Sequence, residues 1–434
     1  MSKDYQKKAA PVGISEELVL PEAVHVAMVE IGGAVKEGLL ALAVATGLQV
    51  MTTMMEESVI ALAGPKGHHQ PDRSAVRHGS EAGSVVLGGR RVPVRRPRVR
   101  ATDGSGELPV GAYETFSGSD LLGEIALERM MAKLSTRRYR AGLEPVGAAV
   151  QASARSTSKS SVSRRFVART ETALAELMDA DLTPLDIVAV MIDGVHYAGH
   201  CCVVALGIGI DGTKHPLGVV EGDTENATVV KDLLAGLRDR GLDVGRPTLV
   251  VIDGAKALAA GVHAVFDHPV VQRCQLHKIR NVEARLPKAL AATVAKKMRA
   301  AYHDPDPLAA EATLEALARS LDKAHPGGAG SLREGLTETL TISRLGVPPT
   351  LARTLRSTNA IESMIEICRD HSANVKRWRD GHMTLRWCAA GMSEAAKQFR
   401  RVNGHLHLPA LRRALDAQVT SAVTPACQDE DEAA

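Results

Sequence analysis

Aromatic residues are scarce in this chain: 4 Phe, 5 Tyr and 2 Trp among 434 residues. A core for so long a chain must therefore rest on Ala, Val, Leu and Ile. Cysteine is sparse too, with 6 residues and no secretion signal. That argues against a disulfide framework and implies a reducing cytosol. The N-terminal MSKDYQKKAA is charged and lacks the apolar centre of a signal peptide. A membrane span is missing as well. Gly38 to Met55 is free of charge but holds Thr46, Gln49, Thr52 and Thr53. A spanning helix needs roughly 20 predominantly apolar residues, so this stretch fits a buried helix instead. Net charge is slight, +3, and the sum alone gives no sign of a polyanionic partner. No internal repeat is visible.

The charge that is present is unevenly placed. Arg90, Arg91, Arg95, Arg96, Arg98 and Arg100 crowd one segment without an acid, and Asp429, Glu430, Asp431 and Glu432 crowd the C-terminus without a base. A basic stretch with an acidic tail fits a DNA binder whose total charge conceals its binding face. Residues 21 to 63 are rich in Ala, Leu and Met and stop at Gly64-Pro65, as a helix does. Gly83 to Leu87 and Arg91 to Arg95 flank a Gly88-Gly89 turn, the pattern of a small basic hairpin. Helical spacing returns at 119–182, with a short helix near Glu144 to Ala152. Ser158 is placed to cap a helix whose first turns carry Lys159, Ser160, Ser163, Arg164 and Arg165. Those are phosphate and base-edge partners of the kind found on the recognition helix of a helix-turn-helix.

From residue 186 the pattern becomes α/β. Asp186 to Asp193 is an apolar strand ending in a carboxylate, and His200 to Ile210 and His215 to Glu221 are two more strands around the Asp211-Gly212 turn. A helix from Thr224 to about Arg240 follows, then strand Pro247 to Asp253, a second helix and the short strand Val270 to Cys274. Three antiparallel strands, helix, strand, helix, strand is the order of a ribonuclease H-like core. Residues 277 to 350 carry helical patterns broken by Pro287, Pro305, Pro307 and Gly327-Gly328, and final helices run from Asn359 to Glu366 and from Met383 to Arg401.

Two strands end in the same phrase, Ile192-Asp193-Gly194 and Ile252-Asp253-Gly254. Strand-terminal aspartates sit at the carboxyl edge of an α/β sheet, where ligands bind. Phosphodiester chemistry calls for such groups, because Mg²⁺ prefers hard oxygen ligands and two ions about 4 Å apart can activate the attacking oxygen and stabilise the leaving one. The third carboxylate must come from a later helix. Glu362, near the start of a helix capped by Thr358 or Asn359, is the best candidate; Glu366, one turn on, is its rival. His263, His268, Cys274 and His277 offer metal-binding side chains, but not at the spacing of a zinc finger. His196 and His200 flank a strand turn and read as surface or core residues. Lys376, Arg377 and Trp378, with Trp387 beyond, offer DNA contacts, Trp by stacking on an unpaired base, although core packing suits either Trp equally well.

Taken in order, Ile192-Asp-Gly194, Gly222-Asp-Thr-Glu225, Ile252-Asp-Gly254, Cys274-Gln-Leu-His277 and Ser357-Thr-Asn-Ala-Ile-Glu362 resemble bacterial insertion-sequence transposases of the Mutator type, within the DDE superfamily. The resemblance implies Asp193, Asp253 and Glu362 as a catalytic, metal-holding triad. It implies Mg²⁺, with Mn²⁺ as a substitute, and terminal inverted repeats and target DNA as the double-stranded DNA bound. It also implies at least a dimer on paired ends, at the bacterial nucleoid, with no membrane partner. Cys274, His277 and Asn359 become neighbours of the active site. Arg90, Arg91, Arg95, Arg96, Lys159, Arg164, Arg165, Lys376, Arg377 and Trp378 become DNA contacts. Where many relatives have Arg and then Asn after the glutamate, this chain has Ser363, Met364 and Ile365, so no supporting residue is carried over there.

The expected fold class is thus α/β: a ribonuclease H-like core with an all-helical insertion, preceded by a mainly helical DNA-binding region. Residues 1–182 form the DNA-binding region, helix-turn-helix-like over 119–170. Residues 183–276 and 351–402 form the split core, 277–350 the insertion, and 403–434 a C-terminal helix and acidic tail. A DNA-binding protein without catalysis and a metal-dependent nuclease are the alternatives that the residues leave open.

Overall fold

The structure, a computed structural model, describes residues 22–68, 72–222 and 226–423. The acidic tail and the helix start expected at Thr224-Glu225 lie outside the described residues. The chain divides into two compact units, residues 1–122 with 140–158, and residues 123–139 with 159–434.

In the first unit, α1 (Glu22–Ala63) packs Met55, Val59 and Ala63 against Ala75, Val99 and Val110. Strands β1 (Ala75–Leu87) and β2 (Arg90–Ala101) form an antiparallel hairpin. Gly88 and Gly89 both have positive φ, 53° and 77°, as a two-residue hairpin turn with the sheet's own twist requires. The short β3 (Glu107–Leu108) extends the sheet, followed by α2 (Gly111–Ser117), α3 (Ser119–Met131), whose later turns enter the second unit, and α4 (Ala148–Ser153). The hairpin stands where the sequence puts it but is longer. Its outer residues, such as Ser80, Glu81 and Arg95, are too polar to announce a strand.

The second unit is mixed α/β. After α5 (Lys159–Asp179) come β4 (Ile187–Tyr197), β5 (His200–Gly209) and β6 (Lys214–Gly222), then α6 (Ala227–Asp239), β7 (Thr248–Ile252), α7 (Lys256–Val265) and β8 (Pro269–Arg273). The sheet order is β6-β5-β4-β7-β8. Strands β4, β5 and β6 pair antiparallel, while β7 and β8 run parallel to β4. An all-helical segment follows: α8 (Gln275–Glu283), α9 (Lys288–Ala301), α10 (Pro307–Leu321), α11 (Pro326–Arg333), α12 (Leu336–Thr339), α13 (Thr341–Arg344) and α14 (Pro349–Leu355). Most of these helices share a core of their own around Met298, Leu314 and Leu332. The chain then returns to the sheet as α15 (Asn359–Ser372), α16 (Gly381–Gln398) and α17 (Leu408–Val423).

Alternation along the strands divides the sheet into two faces. Val190, Ile192, Val250 and Ile252 point to α6 and α7, meeting Leu233, Leu234, Leu258 and Val262. Met191, Val195, Leu249 and Val251 point the other way, to Ile361, Met364, Ile365 and Cys368 of α15 and Cys388, Met392 and Ala395 of α16. Helices α15 and α16 approach closely because Gly391 has no side chain: a Cβ there would lie 2.8 Å from Cα of Cys368.

Two boundaries differ from the sequence reading. Helix α5 lies in the second unit, so the compact division falls at 158/159 and not at 182. The cause is its apolar stripe of Val162, Phe166 and Ala173, which is buried, with Phe166 4.6 Å from the ring of Trp387. Buried Arg386 adds a 2.8 Å bond to Thr170 Oγ1. Strand β4 does not end at Asp193 but pairs with β5 as far as Tyr197 opposite His200.

Replacing Gly391 by Val is expected to destabilise the protein by about 1–3 kcal/mol, the usual cost of overpacking, because the clash is with backbone and not with a flexible side-chain tip. Urea unfolding measures it; an unchanged midpoint would show that the two helices separate without cost.

Candidate active site

The site grows from strand register. Ala189 pairs with Leu249, Val190 with Val250 and Met191 with Val251, a constant offset of 60 residues between β4 and β7. Thr248 pairs with Pro269 and Ile252 with Arg273, a constant offset of 21 between β7 and β8. Continued past the last pairs, the register aligns Asp193, Asp253 and Cys274 in one row across three parallel strands. Asp193 and Asp253 have the parity of Met191 and Val251, and Cys274 that of Gln272, the partner of Val251, so the row belongs to the face covered by α15 and α16. Strand β7 stops at Ile252 while β4 runs on. The sheet therefore opens beside Asp193, and Asp253 begins the loop at that opening.

Local bonds orient each group. Asp193 Oδ1 accepts the backbone N–H of Gly194 at 2.8 Å. Asp253 Oδ1 accepts that of Ala255 at 2.7 Å, an Asx turn leading into α7. Cys274 is tied back to the sheet by its own N–H, 2.7 Å from the Ile252 carbonyl, and next to it the Gln275 N–H donates to the Arg356 carbonyl at 3.0 Å. That second bond brings the start of α8 beside the segment leading into α15.

Glu362 enters from α15. Its carboxylate accepts a 2.6 Å bond from the hydroxyl of Thr358, one turn earlier, and lies 3.8 Å from His277 Nδ1. Thr358 is fully buried; its hydroxyl lies 3.4 Å from both Cys274 Sγ and His277 Nδ1, and its N–H is 3.5 Å from the same sulfur. Cys274, His277 and Glu362 thus offer ligand atoms within 4.8 Å of one another. Burial pushes the Cys274 thiol up, but hydrogen bonds from His277 and Thr358 outweigh it and hold the thiol below its ordinary value. The hydrogen bond to Cys274 pushes His277 up to about 9 against burial, helped by the charges of Cys274, Glu362 and Asp193. Glu366 is exposed one turn beyond Glu362, and Asn359 is exposed at the first turn of α15.

The two histidines that precede Cys274 and His277 in the sequence do not join them. His263 and His268 are exposed, and among the described residues the cluster holds Glu362 in their place. His200 pairs with Glu221 at 2.9 Å, and His196 is exposed. Sequence reading missed the hub of the site, Thr358, considered there only as a cap. The hydroxyl does not cap the backbone; a Thr four residues before a Glu on one helix face was the available signal.

The expected DNA-contacting side chains divide in two. Arg90 is a correction: it is buried, 1% exposed, with Nη1 2.8 Å from the Glu144 carbonyl, and so it serves the first unit's interior. Arg96 is held by Glu81 at 2.5 Å and Glu107 at 3.1 Å. Arg91 donates to Ser84, and Arg95 to Ser80. Arg95 is exposed, as is Arg100 on the same strand. On α5, Lys159 is exposed at the first turn and Arg164 is exposed on the side opposite the buried stripe, while Arg165 donates to Ser161 at 2.8 Å. Lys376 and Arg377 are exposed between α15 and α16. Trp378 packs on Tyr197 with centroids 4.8 Å apart, and Trp387 is buried.

The carboxyl edge of the parallel strands in an α/β sheet is where ligands bind, and Asp253 lies there. The comparison with known proteins is narrower: residues 24–402 match the profile of the family described as Transposase, Mutator family. The chain belongs to that family. It is 26% identical over 371 residues to a transposase for insertion sequence element ISRM5 of Rhizobium meliloti, covering 84% of this chain and 91% of that protein. It is 28% identical over 239 residues to a transposase for insertion sequence element IS6120 of Mycolicibacterium smegmatis, covering 54% and 72%. A transposase of IS256 in transposon Tn4001 of Staphylococcus aureus is 26% identical over 165 residues, covering 38% and 41%. Among the described residues, no helix is long and apolar enough to cross a membrane.

Arg90→Ala is expected to cost about 1–3 kcal/mol of stability, the range for leaving a buried partner unsatisfied, as read by thermal melting. An unaltered melt would show that the buried guanidinium is dispensable.

Proposed function

We propose that this transposase cuts and rejoins DNA at Asp193, Asp253 and Glu362, on a ribonuclease H-like core. The sheet order β6-β5-β4-β7-β8, with three antiparallel strands followed by two parallel ones, supports that scaffold. The observation that carries the reading is the register: it aligns the two aspartates on adjacent strands, on the face that α15 covers with Glu362.

These donors fit a hard divalent cation. Three carboxylates from three separate elements offer oxygen ligands of the kind Mg²⁺ takes, with Mn²⁺ as a substitute. The softer pair Cys274 and His277 bonds instead with Thr358. Bound there, the metal would supply activation of the attacking oxygen and stabilisation of the leaving one. The chain's own residues set the geometry: Asp193 and Asp253 are held by the backbone N–H groups of Gly194 and Ala255, and Glu362 by Thr358.

Water attacks the phosphodiester at the element's end, the bond to the leaving strand breaks, and a 3′-OH is freed. That 3′-OH attacks target DNA in a second displacement, so no covalent protein–DNA intermediate is needed. The DNA ends are terminal inverted repeats, held as a pair by at least a dimer. Among the described residues, Lys159 and Arg164 on α5, Arg95 and Arg100 on the hairpin, and Lys376 and Arg377 are exposed cations that suit phosphate contact.

Cleavage of a duplex carrying the inverted repeat that flanks the gene tests this reading. With Mg²⁺, Asp193→Ala and Glu362→Gln are expected to lose more than the roughly 100-fold that removing a supporting partner costs, while end binding is retained. Cleavage by wild type that survives EDTA, or survives both substitutions, would overturn it. For Lys159→Ala and Arg164→Ala, the log–log salt dependence of DNA binding should fall by about 1 each. An unchanged slope would remove α5 from the contact surface.

A further inference from the structure

We propose that Thr358 is the positioning residue of this reaction: its buried hydroxyl fixes the Glu362 carboxylate over the aspartate-bearing sheet edge. This rests on the assignment of Glu362 made above.

Four observations converge on that one oxygen. Thr358 is fully buried, so water does not compete for its hydroxyl. The hydroxyl has a single proton to donate, and the shortest contact, 2.6 Å to Glu362 Oε1, takes it. The same oxygen lies at the longer distance of 3.4 Å from both Cys274 Sγ and His277 Nδ1. Cys274 itself is anchored to β7 through the Ile252 carbonyl at 2.7 Å. A continuous chain therefore runs from the end of β7, through Cys274 and Thr358, to the third carboxylate. Glu362 sits on a helix that reaches the sheet only after the whole helical segment α8–α14, and this chain of contacts indexes it to the strand that precedes Asp253.

The bond also selects a rotamer. A glutamate has several staggered conformations, and a carboxylate at the start of a helix is free to turn to solvent. Donation from the residue one turn earlier holds Glu362 back along the helix, toward the Cys274 row. Glu366, one turn further on, is exposed to solvent. The hydroxyl thus sets which of two glutamates, one turn apart, faces the site.

The test compares Thr358→Val, nearly isosteric but without the hydroxyl, with Thr358→Ser, which keeps it, and Glu362→Gln. Two quantities are read on the full chain: Mn²⁺ affinity by calorimetry without DNA, and Mg²⁺-dependent cleavage of the inverted-repeat duplex. For Thr358→Val, both are expected to fall about 10- to 100-fold, the cost of losing a group that orients a metal-binding carboxylate, and Thr358→Ser should restore them to within a few-fold of wild type. Thermal melting identifies any unfolding. Should Thr358→Val not fold, Thr358→Ala read below its own melting point gives the same comparison against Ser. Wild-type affinity and cleavage in the hydroxyl-free variant, alongside a Glu362→Gln that loses both, would overturn the role of Thr358 while leaving Glu362 in place. A Glu362→Gln that keeps both would overturn the assignment of Glu362 and this inference with it.

Discussion

The structure depends most on the parallel pairing of β4, β7 and β8. Hydrogen-bonded strands cannot slip by one residue without turning every side chain to the opposite face. Here both faces are buried, one by α6 and α7 and the other by α15 and α16, so a slip would force every side chain of the slipped strand into packing shaped for its neighbour and turn its row away from α15. Register is therefore fixed by the whole core, and the alignment of Asp193, Asp253 and Cys274 follows from it. In the proposed site, strand register is what aligns the first two carboxylates.

The third carboxylate poses a different problem, because it lies more than 100 residues after Asp253 in the chain. Two devices return it to the sheet. One is packing: Ile361, Met364, Ile365 and Cys368 seat α15 on the sheet, and Gly391 lets α16 press against its back. The other is polar. Buried Gln272 on β8 donates to the Thr339 carbonyl at 2.9 Å and accepts the Ile342 N–H at 2.8 Å, pinning the end of the helical segment to the sheet. Packing brings α15 to the right face; polar contacts decide how it is turned there.

Much of this was legible in the sequence because apolar runs and Asp-Gly phrases carry their own physics. The five sheet strands, their order along the chain and the basic hairpin all rest on local signals. What stayed hidden depended on distant partners. Asp193 looked like a strand end because Gly194 and His196 break the apolar run, whereas pairing with β5 carries β4 on to Tyr197. Helix α5 showed its basic start plainly, but the residues that bury its other face, Arg386 and Trp387, lie some 220 positions away. Arg90 looked like one cation among six, and its burial under the Glu144 carbonyl leaves no trace in the hairpin's own composition.

The central claim is that three carboxylates from β4, the end of β7 and α15 converge on a single cation site. Anomalous diffraction from crystals soaked in Mn²⁺ tests it most directly. The account expects a peak bounded by the carboxylates of Asp193, Asp253 and Glu362, with Thr358 still bonded to Glu362. A peak held by Cys274 and His277 without the aspartates, or none near any of the three carboxylates, would contradict it.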